Sequence, residues 1–271
     1  MRYLDYVDRR VRRYVAAKRK LIALLEEERQ AVIHQAVTRG LDPNVPLKPS
    51  GVEWLGDIPA HWEIRRLRNS ILEAVNGVWG ADPDGINDLA CVRVADFDRH
   101  RLRVRTPIPT VRAIGPSERR GRTLLFGNLL LEVSGGGEQQ PVGVVILYDH
   151  DIPSVCSNFI QKITLRSGYD PQFLTFLHGA LYAVRINVRS IKQTTGIQNL
   201  DTSSYFSEAV AFPPLQEQHA ISEYLLEATL RIETAITRAR RQVELLEEYR
   251  TRLIADVVTG KLDVRAAAPA D

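Results

Sequence analysis

LLEEERQAVIHQAVTRGLD (residues 24–42) and LLEEYRTRLIADVVTGKLD (residues 245–263) are one helical segment written twice in the same chain. Leu24, Leu25, Glu26, Glu27, Arg29, Ile33, Val37, Thr38, Leu41 and Asp42 recur as Leu245, Leu246, Glu247, Glu248, Arg250, Ile254, Val258, Thr259, Leu262 and Asp263, always 221 residues later. The identities mix apolar, acidic, basic and hydroxyl residues, so they are not a by-product of one abundant residue type. About 200 residues of different texture separate the copies. Such a repeat predicts two similar struts with a domain between them.

Working outward from the first copy, Arg2 to Thr38 contains neither Pro nor Gly. Leu4, Val7, Val11, Tyr14, Leu21, Leu25 and Val32 fall at three- and four-residue steps, an a/d heptad seam interrupted at Lys18, Glu28 and Gln35. At 1.5 Å per residue such a helix is about 55 Å long, more than the interior of a compact domain holds. Gly40 is placed to cap its end. The second helix is expected after Pro213-Pro214 and runs to about Val258, with Gly260 at its stop. Leu225, Ala228, Ile232, Ala235, Ala239, Leu246, Tyr249 and Leu253 continue the seam. Small residues there predict close approach of the two helices, packed on each other within the chain and leaving further surface for a partner.

Between the struts the texture changes. A Pro-punctuated linker (43–63) carries GVEWLGDIPAHWE, and a domain follows over 64–212. LACVRVADF (89–97), TLLFGNLLLEV (123–133), VGVVILYD (142–149) and FIQKITL (159–165) read as strands. A helix is expected from Pro171 to about Val184, with Asp170 as N-cap and Phe173, Leu174, Phe176, Leu177 and Leu181 inward. The fold class is α+β: one mixed α/β, β-rich domain carried on two long antiparallel coiled-coil-like helices. Its segments are 1–42 (first helix), 43–63 (linker), 64–212 (domain), 213–263 (second helix) and 264–271 (a disordered tail).

Composition narrows the functional classes. With 44% hydrophobic and 25% charged residues the chain has a folding composition, and a net charge of +3 is too small to act as a global field on nucleic acid. Any such binding must be local. Cys91 and Cys156 are too few for a disulfide framework or a Cys-rich zinc site and fit free thiols in a reducing cytoplasm. No apolar run reaches the ~18–20 residues of a membrane span, so a soluble cytoplasmic protein is expected. Walker, HExxH, CxxC and GxSxG patterns are all missing. Asp149-His150-Asp151 reads as a solvated turn rather than a metal cluster, and Gly135-Gly136-Gly137 as a mobile turn whose backbone can approach a ligand.

Two segments speak for nucleic acid. In RHRLRVRTPIPTVRAIGPSERRGR (99–122), Arg99, Arg101, Arg103 and Arg105 would share one face of a strand and offer a stripe to phosphates, or defend an edge strand by charge. RSIKQTTGIQNLDTSSY (189–205) holds Arg189, Lys192, Gln193, Thr194, Thr195, Gln198 and Asn199. These residue types pair with base edges, Arg and Lys with guanine, Asn and Gln with adenine; a plain polar loop would have the same composition.

The helix with LLEEERQAVIHQAVTRGLDP followed by SGVEWLGDIPAHWE resembles the central region of specificity subunits of Type I restriction–modification systems. VRVADFD, GNLLLEVSGGG, SNFIQKITL, KQTTGIQNLD and PPLQEQ resemble phrases of their target-recognition domains, and LLEEYRTRLIADVVTGKLDVR their C-terminal end. Members usually carry two recognition domains; this chain shows one, and so resembles a half-length form. The resemblance implies a subunit without catalysis of its own and without a bound cofactor, S-adenosylmethionine belonging to the modification subunit. Its implied partners are double-stranded DNA, the modification (methyltransferase) subunits, the motor–nuclease subunit, and a second copy or another half-subunit, which would restore two recognition domains for a bipartite target. DNA contacts are then expected at Arg93, Arg99, Arg101, Arg103, Arg105, Ser134, Gly135, Gly136, Gln139, Gln140, Lys162, Arg189, Lys192, Gln193, Thr194, Thr195, Gln198 and Asn199, with discrimination in 76–122 and 134–141. Competing readings are a stand-alone dimeric DNA-binding regulator, a nuclease or methyltransferase with an unrecognised site, and an assembly scaffold that touches no DNA.

Overall fold

The computed structural model describes residues 2–193 and 196–264; Thr194, Thr195 and the expected tail from 265 lie outside them. In chain order the elements are α1 (Arg2–Arg39), β1 (Leu47–Pro49), β2 (Asp57–Pro59), β3 (Glu63–Arg66), β4 (Ile71–Asn76), β5 (Asp88–Val92), β6 (Phe97–Asp98), β7 (Arg103–Val104), β8 (Val111–Ala113) and α2 (Pro116–Arg119). Then come β9 (Leu129–Glu132), β10 (Ser134–Gly135), β11 (Val145–Leu147), β12 (Ser154–Cys156), β13 (Ile160–Leu165), α3 (Pro171–Ala183), β14 (Ile191–Gln193), β15 (Gln198–Leu200), α4 (Thr202–Tyr205), β16 (Ala209–Phe212) and α5 (Leu215–Val258). The α+β class read from the sequence is the observed one. Two compact units emerge, Met1–Val32 with Leu225–Asp271, and Ile33–Tyr224.

In the helical unit α1 and α5 run antiparallel, as their ion pairs require: Arg19 meets Glu247 and Arg240 meets Glu26, each at 2.9 Å, and Arg250 holds Asp8. The first two are the same contact seen twice, because the 221-residue offset carries Arg19 onto Arg240 and Glu26 onto Glu247. The repeat therefore gives the pair a local two-fold symmetry. Exposed pairs of this kind contribute about 0–1 kcal/mol each, so they set register more than stability.

The buried faces correct part of the seam. Leu4, Val7, Val11, Leu25 and Val32 are wholly or partly covered, but Tyr14 is 50% and Leu21 40% exposed, while Val15 is buried and Ile22 half-buried. On α1 the covered positions 4, 7, 11, 15, 18, 22, 26 and 29 recur every eleven residues, close to the natural helical repeat. The heptad row 4, 11, 18, 25 and 32 stays covered throughout, and the row 8, 15, 22, 29 and 36 joins it where the row of Tyr14 and Leu21 turns outward. On α5 the strict heptad holds: Leu225, Ile232, Leu246 and Leu253 lie on the covered face with Ile236, Ala239 and Val243. Tyr249, however, is 51% exposed, because Arg250 takes the seam position to reach Asp8.

The Ile33–Tyr224 unit is built on a six-stranded sheet, β4-β13-β9-β11-β7-β6, with β11 and β7 its parallel pair. A three-stranded sheet β12-β5-β8, another of β10-β15-β14, and the pairs β1-β2 and β16-β3 complete it. Leu129–Glu132 is buried at every position, the mark of a central strand covered on both faces. Val92, Phe97, Val104, Leu130, Ile146, Tyr148 and Ile160 form the main core. α3 begins as its sequence predicts: the Asp170 carboxylate accepts from Phe173 N at 2.6 Å, Pro171 opens the first turn, and the five expected apolar residues are buried. Within it, the Nδ1 of buried His178 is hydrogen-bonded to the Tyr205 hydroxyl at 2.8 Å; burial pushes the imidazole down to about 3, so it stays neutral.

The strands are shorter than the apolar runs. LACVRVADF breaks after Val92, where Asp96 accepts from Arg93 N and starts a 3-10 turn. In TLLFGNLLLEV only Leu129–Glu132 is strand, since Asn128 turns the chain by accepting from Leu125 N and Gly127 has φ +89°. VGVVILYD is buried through Tyr148, yet only Val145–Leu147 pairs as strand; in FIQKITL the strand runs Ile160–Leu165.

Two motifs without an assigned role in the sequence turn out to anchor helix ends inside this unit. Trp62, fully buried, donates through Nε1 to Glu217 Oε1 at 3.0 Å, and His61 Nε2 lies 2.8 Å from Glu217 Oε2. Gly40, at φ +72°, passes so close that a Cβ would stand 2.9 Å from Glu217 Oε1. Gln218 accepts from Asp170 N and donates to Pro213 O, while Ser222 donates to Asp170 Oδ1 at 2.5 Å. PPLQEQ is thus a clamp on the Asp170 cap.

Candidate nucleic-acid interface

The expected arginine stripe does not form. Asp98 accepts from the backbone N–H of both His100 and Arg101, Leu102 adopts φ +55°, and only Arg103–Val104 is strand. The four side chains therefore part company. Arg99 pairs at 2.8 Å with Glu132, which is only 1% exposed; burial pushes that carboxyl upward while Arg99 opposes the shift. Arg103 is held by Asp149 and by Gln172 Oε1. Arg101 and Arg105 remain exposed.

Other expected contacts are also committed. Arg93 pairs with Asp96, and Lys162 is buried with Nζ donating to Gly121 O at 2.5 Å. Further along, Arg112 binds Asp82 and lies over the Trp79 ring at 4.8 Å, and Arg119 and Arg122 donate to backbone carbonyls. A guanidinium so bound orders a loop. His150 turns Nε2 to Val104 O at 3.2 Å, and Asp149 is the Arg103 partner just named, so the YDHD turn is spent on side-chain anchoring.

Gly135-Gly136-Gly137 differs from the expected mobile turn. Ser134 and Gly135 pair in register with Asn199 and Gln198, and a Cβ on Gly136 would lie 2.8 Å from Val142 N. Gln198, 6% exposed, accepts from Val142 N and closes this loop, so it is a packing residue. Gln139 and Gln140 are exposed at the loop tip, and Arg189 is exposed in the separate turn Ile186–Ser190. Lys192 lies beside Asn199 in the sheet and holds Asp201 at 2.7 Å, which keeps that carboxyl below its usual range. Gln193 pairs with Gln198 through the strand backbone.

What the fold does bring together is a groove of about 350 Å³ lined by Asn76, Ser134, Asn158, Gln161, Asn199 and Thr202, with Val133, Phe159 and Leu200. Ser134 and Asn199 were expected at the interface. Asn76, Asn158, Phe159 and Gln161 were missed, although FIQKITL and the 76–122 segment contain most of them. Cross-strand register makes the juxtaposition: Gln161 opposes Asn76, and Ser134 opposes Asn199. Gln161 Nε2 donates to Asn76 Oδ1 at 3.0 Å, and Ser134 Oγ to Asn199 Oδ1 at 2.8 Å. Among the described residues no charged one lines the groove; Arg122, through Nε to Asn76 O, and Lys192 stand beside it. A second cleft of about 370 Å³, lined by His61, Glu63, Arg65, Tyr169 and Gln218 among others, is charged instead. Cys91 and Cys156 are buried, and desolvation pushes their thiols up to about 11 and about 12, which leaves them unreactive. Among the described residues no helix is long and apolar enough to cross a membrane.

No protein-family model matches the chain, and no curated protein does. Solved structures do. One is a chain from work on complex assembly and conformational transition of the type I R-M system, at TM-score 0.66 and 14% identity over 94% of this chain and 56% of that one. Another is the HsdS subunit from Thermoanaerobacter tengcongensis, at TM-score 0.50 and 15% identity over 92% of this chain and 56% of that one. The chain thus spans a little over half the length of these relatives. Its fold is that of Type I specificity subunits, as the sequence motifs led one to expect.

Proposed function

We propose that this chain is a DNA sequence-recognition subunit of a Type I restriction–modification complex, without catalysis of its own. Its domain (64–212 in sequence terms) reads one half of a bipartite target. Exposed cations such as Arg101, Arg105, Arg189 and Lys192 position the duplex through its phosphates, which carries no sequence information, and base edges are read elsewhere. The helices serve as a spacer and as a docking surface for adenine methyltransferase subunits, which bring S-adenosylmethionine, and for the motor–nuclease subunit. The observation that carries this reading is the combination of a specificity-subunit fold with an uncharged, amide-lined groove between strand ends.

A second recognition unit is part of the proposal, and the repeat supports it. Ile33 and Val37 are 2% and 0% exposed, whereas their counterparts Ile254 and Val258 are 37% and 75% exposed. The same apolar face is covered at one copy and bare at the other, as expected if a second copy of the chain covers it.

Mapping adenine methylation in a host carrying this gene with its methyltransferase subunit tests the function. A bipartite methylated motif that disappears when the chain is deleted is the expected result. Methylation unchanged by the deletion would refute it, and cleavage or methylation of DNA by the purified chain alone would favour an enzyme instead.

A further inference from the structure

Three chemistries compete for the groove beside Asn158. A phosphate wants guanidinium or ammonium groups in the wall, and a metal wants carboxylate, imidazole or thiolate; the lining has neither. Neutral amides with an exposed phenyl suit the edge of a nucleobase, which offers donors and acceptors side by side with an apolar methyl. The amides are not equivalent. Asn76 Oδ1 already accepts from Gln161, and Asn199 Oδ1 from Ser134, so each presents mainly its NH2 group. Asn158 is exposed and makes no hydrogen bond among the described residues, which leaves its carbonyl and its NH2 together.

Only a side chain with both atoms free can grip adenine at N6 and N7 simultaneously. The next residue, Phe159, is 44% exposed, yet its carbonyl accepts from Val133 N at 2.9 Å and Ser134 N at 3.3 Å. The backbone under the pair is therefore fixed before any ligand arrives, which keeps the ordering cost of binding low.

We propose that Asn158 and Phe159 read one A·T base pair of the target through the major groove, the Asn158 amide pairing with adenine N7 and N6 and the Phe159 ring lying on the thymine methyl. This rests on the DNA-recognition reading above and narrows it to two side chains.

Selection of the full chain against a random double-stranded DNA library tests both levels. The wild-type chain should enrich a motif with one invariant A·T position. With Asn158→Ala that position should become degenerate while the rest of the motif persists, and affinity for the wild-type motif should fall about 5- to 150-fold with an unchanged salt slope. In the wild-type motif, 7-deazaadenine should weaken the native chain but not Asn158→Ala further, and uracil for thymine should weaken the native chain but not Phe159→Ala further. Both side chains are exposed, so unchanged thermal melts are expected. If both variants enrich the wild-type motif, or weaken all sequences equally, the assignment falls and the recognition role stands. If the native chain enriches no motif, the recognition role falls and the assignment with it.

Discussion

Replacing Arg99 with Ala separates a DNA-gripping arginine from a structural one. Arg99 is the partner of Glu132, whose side chain is 2% accessible against 29% for Arg99 itself. Removing one member of a buried pair leaves an uncompensated charge and costs about 3–5 kcal/mol. Because Arg99 is partly open to solvent, water can enter after truncation, so the lower end, about 3 kcal/mol, is expected. For a unit of this size that lowers Tm by about 6–12 °C. The pH dependence has a definite sign. Burial raises the Glu132 pKa in the folded state and Arg99 opposes that shift. Without Arg99 the folded chain therefore holds a proton that the unfolded chain has lost above about pH 4.3, and stability falls as pH rises through that window. The deficit of Arg99→Ala should be largest at pH 7 and shrink towards pH 5, and Glu132→Gln added to it should restore much of the loss. Urea unfolding of the native chain and the two variants at both pH values measures this. A deficit below about 1 kcal/mol at pH 7, together with a reduced salt slope of DNA binding, would refute the structural assignment and return Arg99 to the phosphates.

Other outcomes follow from the same geometry. Arg189→Ala and Lys192→Ala should weaken binding to every DNA sequence alike and lower the salt slope by about one each, read by titration over a salt series; a loss confined to one sequence contradicts the phosphate role. A seven-residue insertion at Ala239, matched in α1 opposite it, lengthens the spacer by about 10 Å and should move the half-sites apart by about three base pairs. A methylated motif of unchanged spacing would end the ruler idea. Ile254→Asp with Val258→Asp should leave melting unchanged and abolish concentration-dependent self-association in sedimentation velocity. Identical sedimentation of variant and native chain would count against the second copy as the cover of that face.

The fold was legible to the extent that local chemistry decided it. The Asp170-Pro171 start of α3 and the helix stop at Gly40 depend on residues close in sequence, and each is observed. The seam was legible only in outline. Tyr14, Leu21 and Tyr249 fit an apolar template but stand outside the covered face, because on each helix the second covered row lies one residue further along, at Val15, Ile22 and Arg250. Strand ends were overread for a similar reason. A run such as LACVRVADF is apolar because it is buried, and burial does not require pairing; the Asp96 turn interrupts the ladder without exposing Phe97.

The site was harder, and the difficulty lies in what cations and amides reveal. An arginine in a sequence announces charge but not its counter-ion. Arg99, Arg103 and Arg112 found carboxylates at sequence separations from 30 to 46 residues, and those pairings are fixed by the tertiary fold. Counting arginines along 99–122 therefore overstated the charge open to phosphates. Asn76, Asn158, Gln161 and Asn199 carry no charge and lie scattered over more than a hundred residues, so no window of sequence brings them together. Antiparallel register does so, by setting Gln161 against Asn76 and Ser134 against Asn199. If the groove reads bases, specificity resides in residues whose chemistry is bland and whose arrangement is informative. Exposed cations would then add affinity that any sequence receives, and exchanging Asn158 should alter which DNA is chosen far more than exchanging Arg101 or Arg105, whose loss should weaken all sequences together.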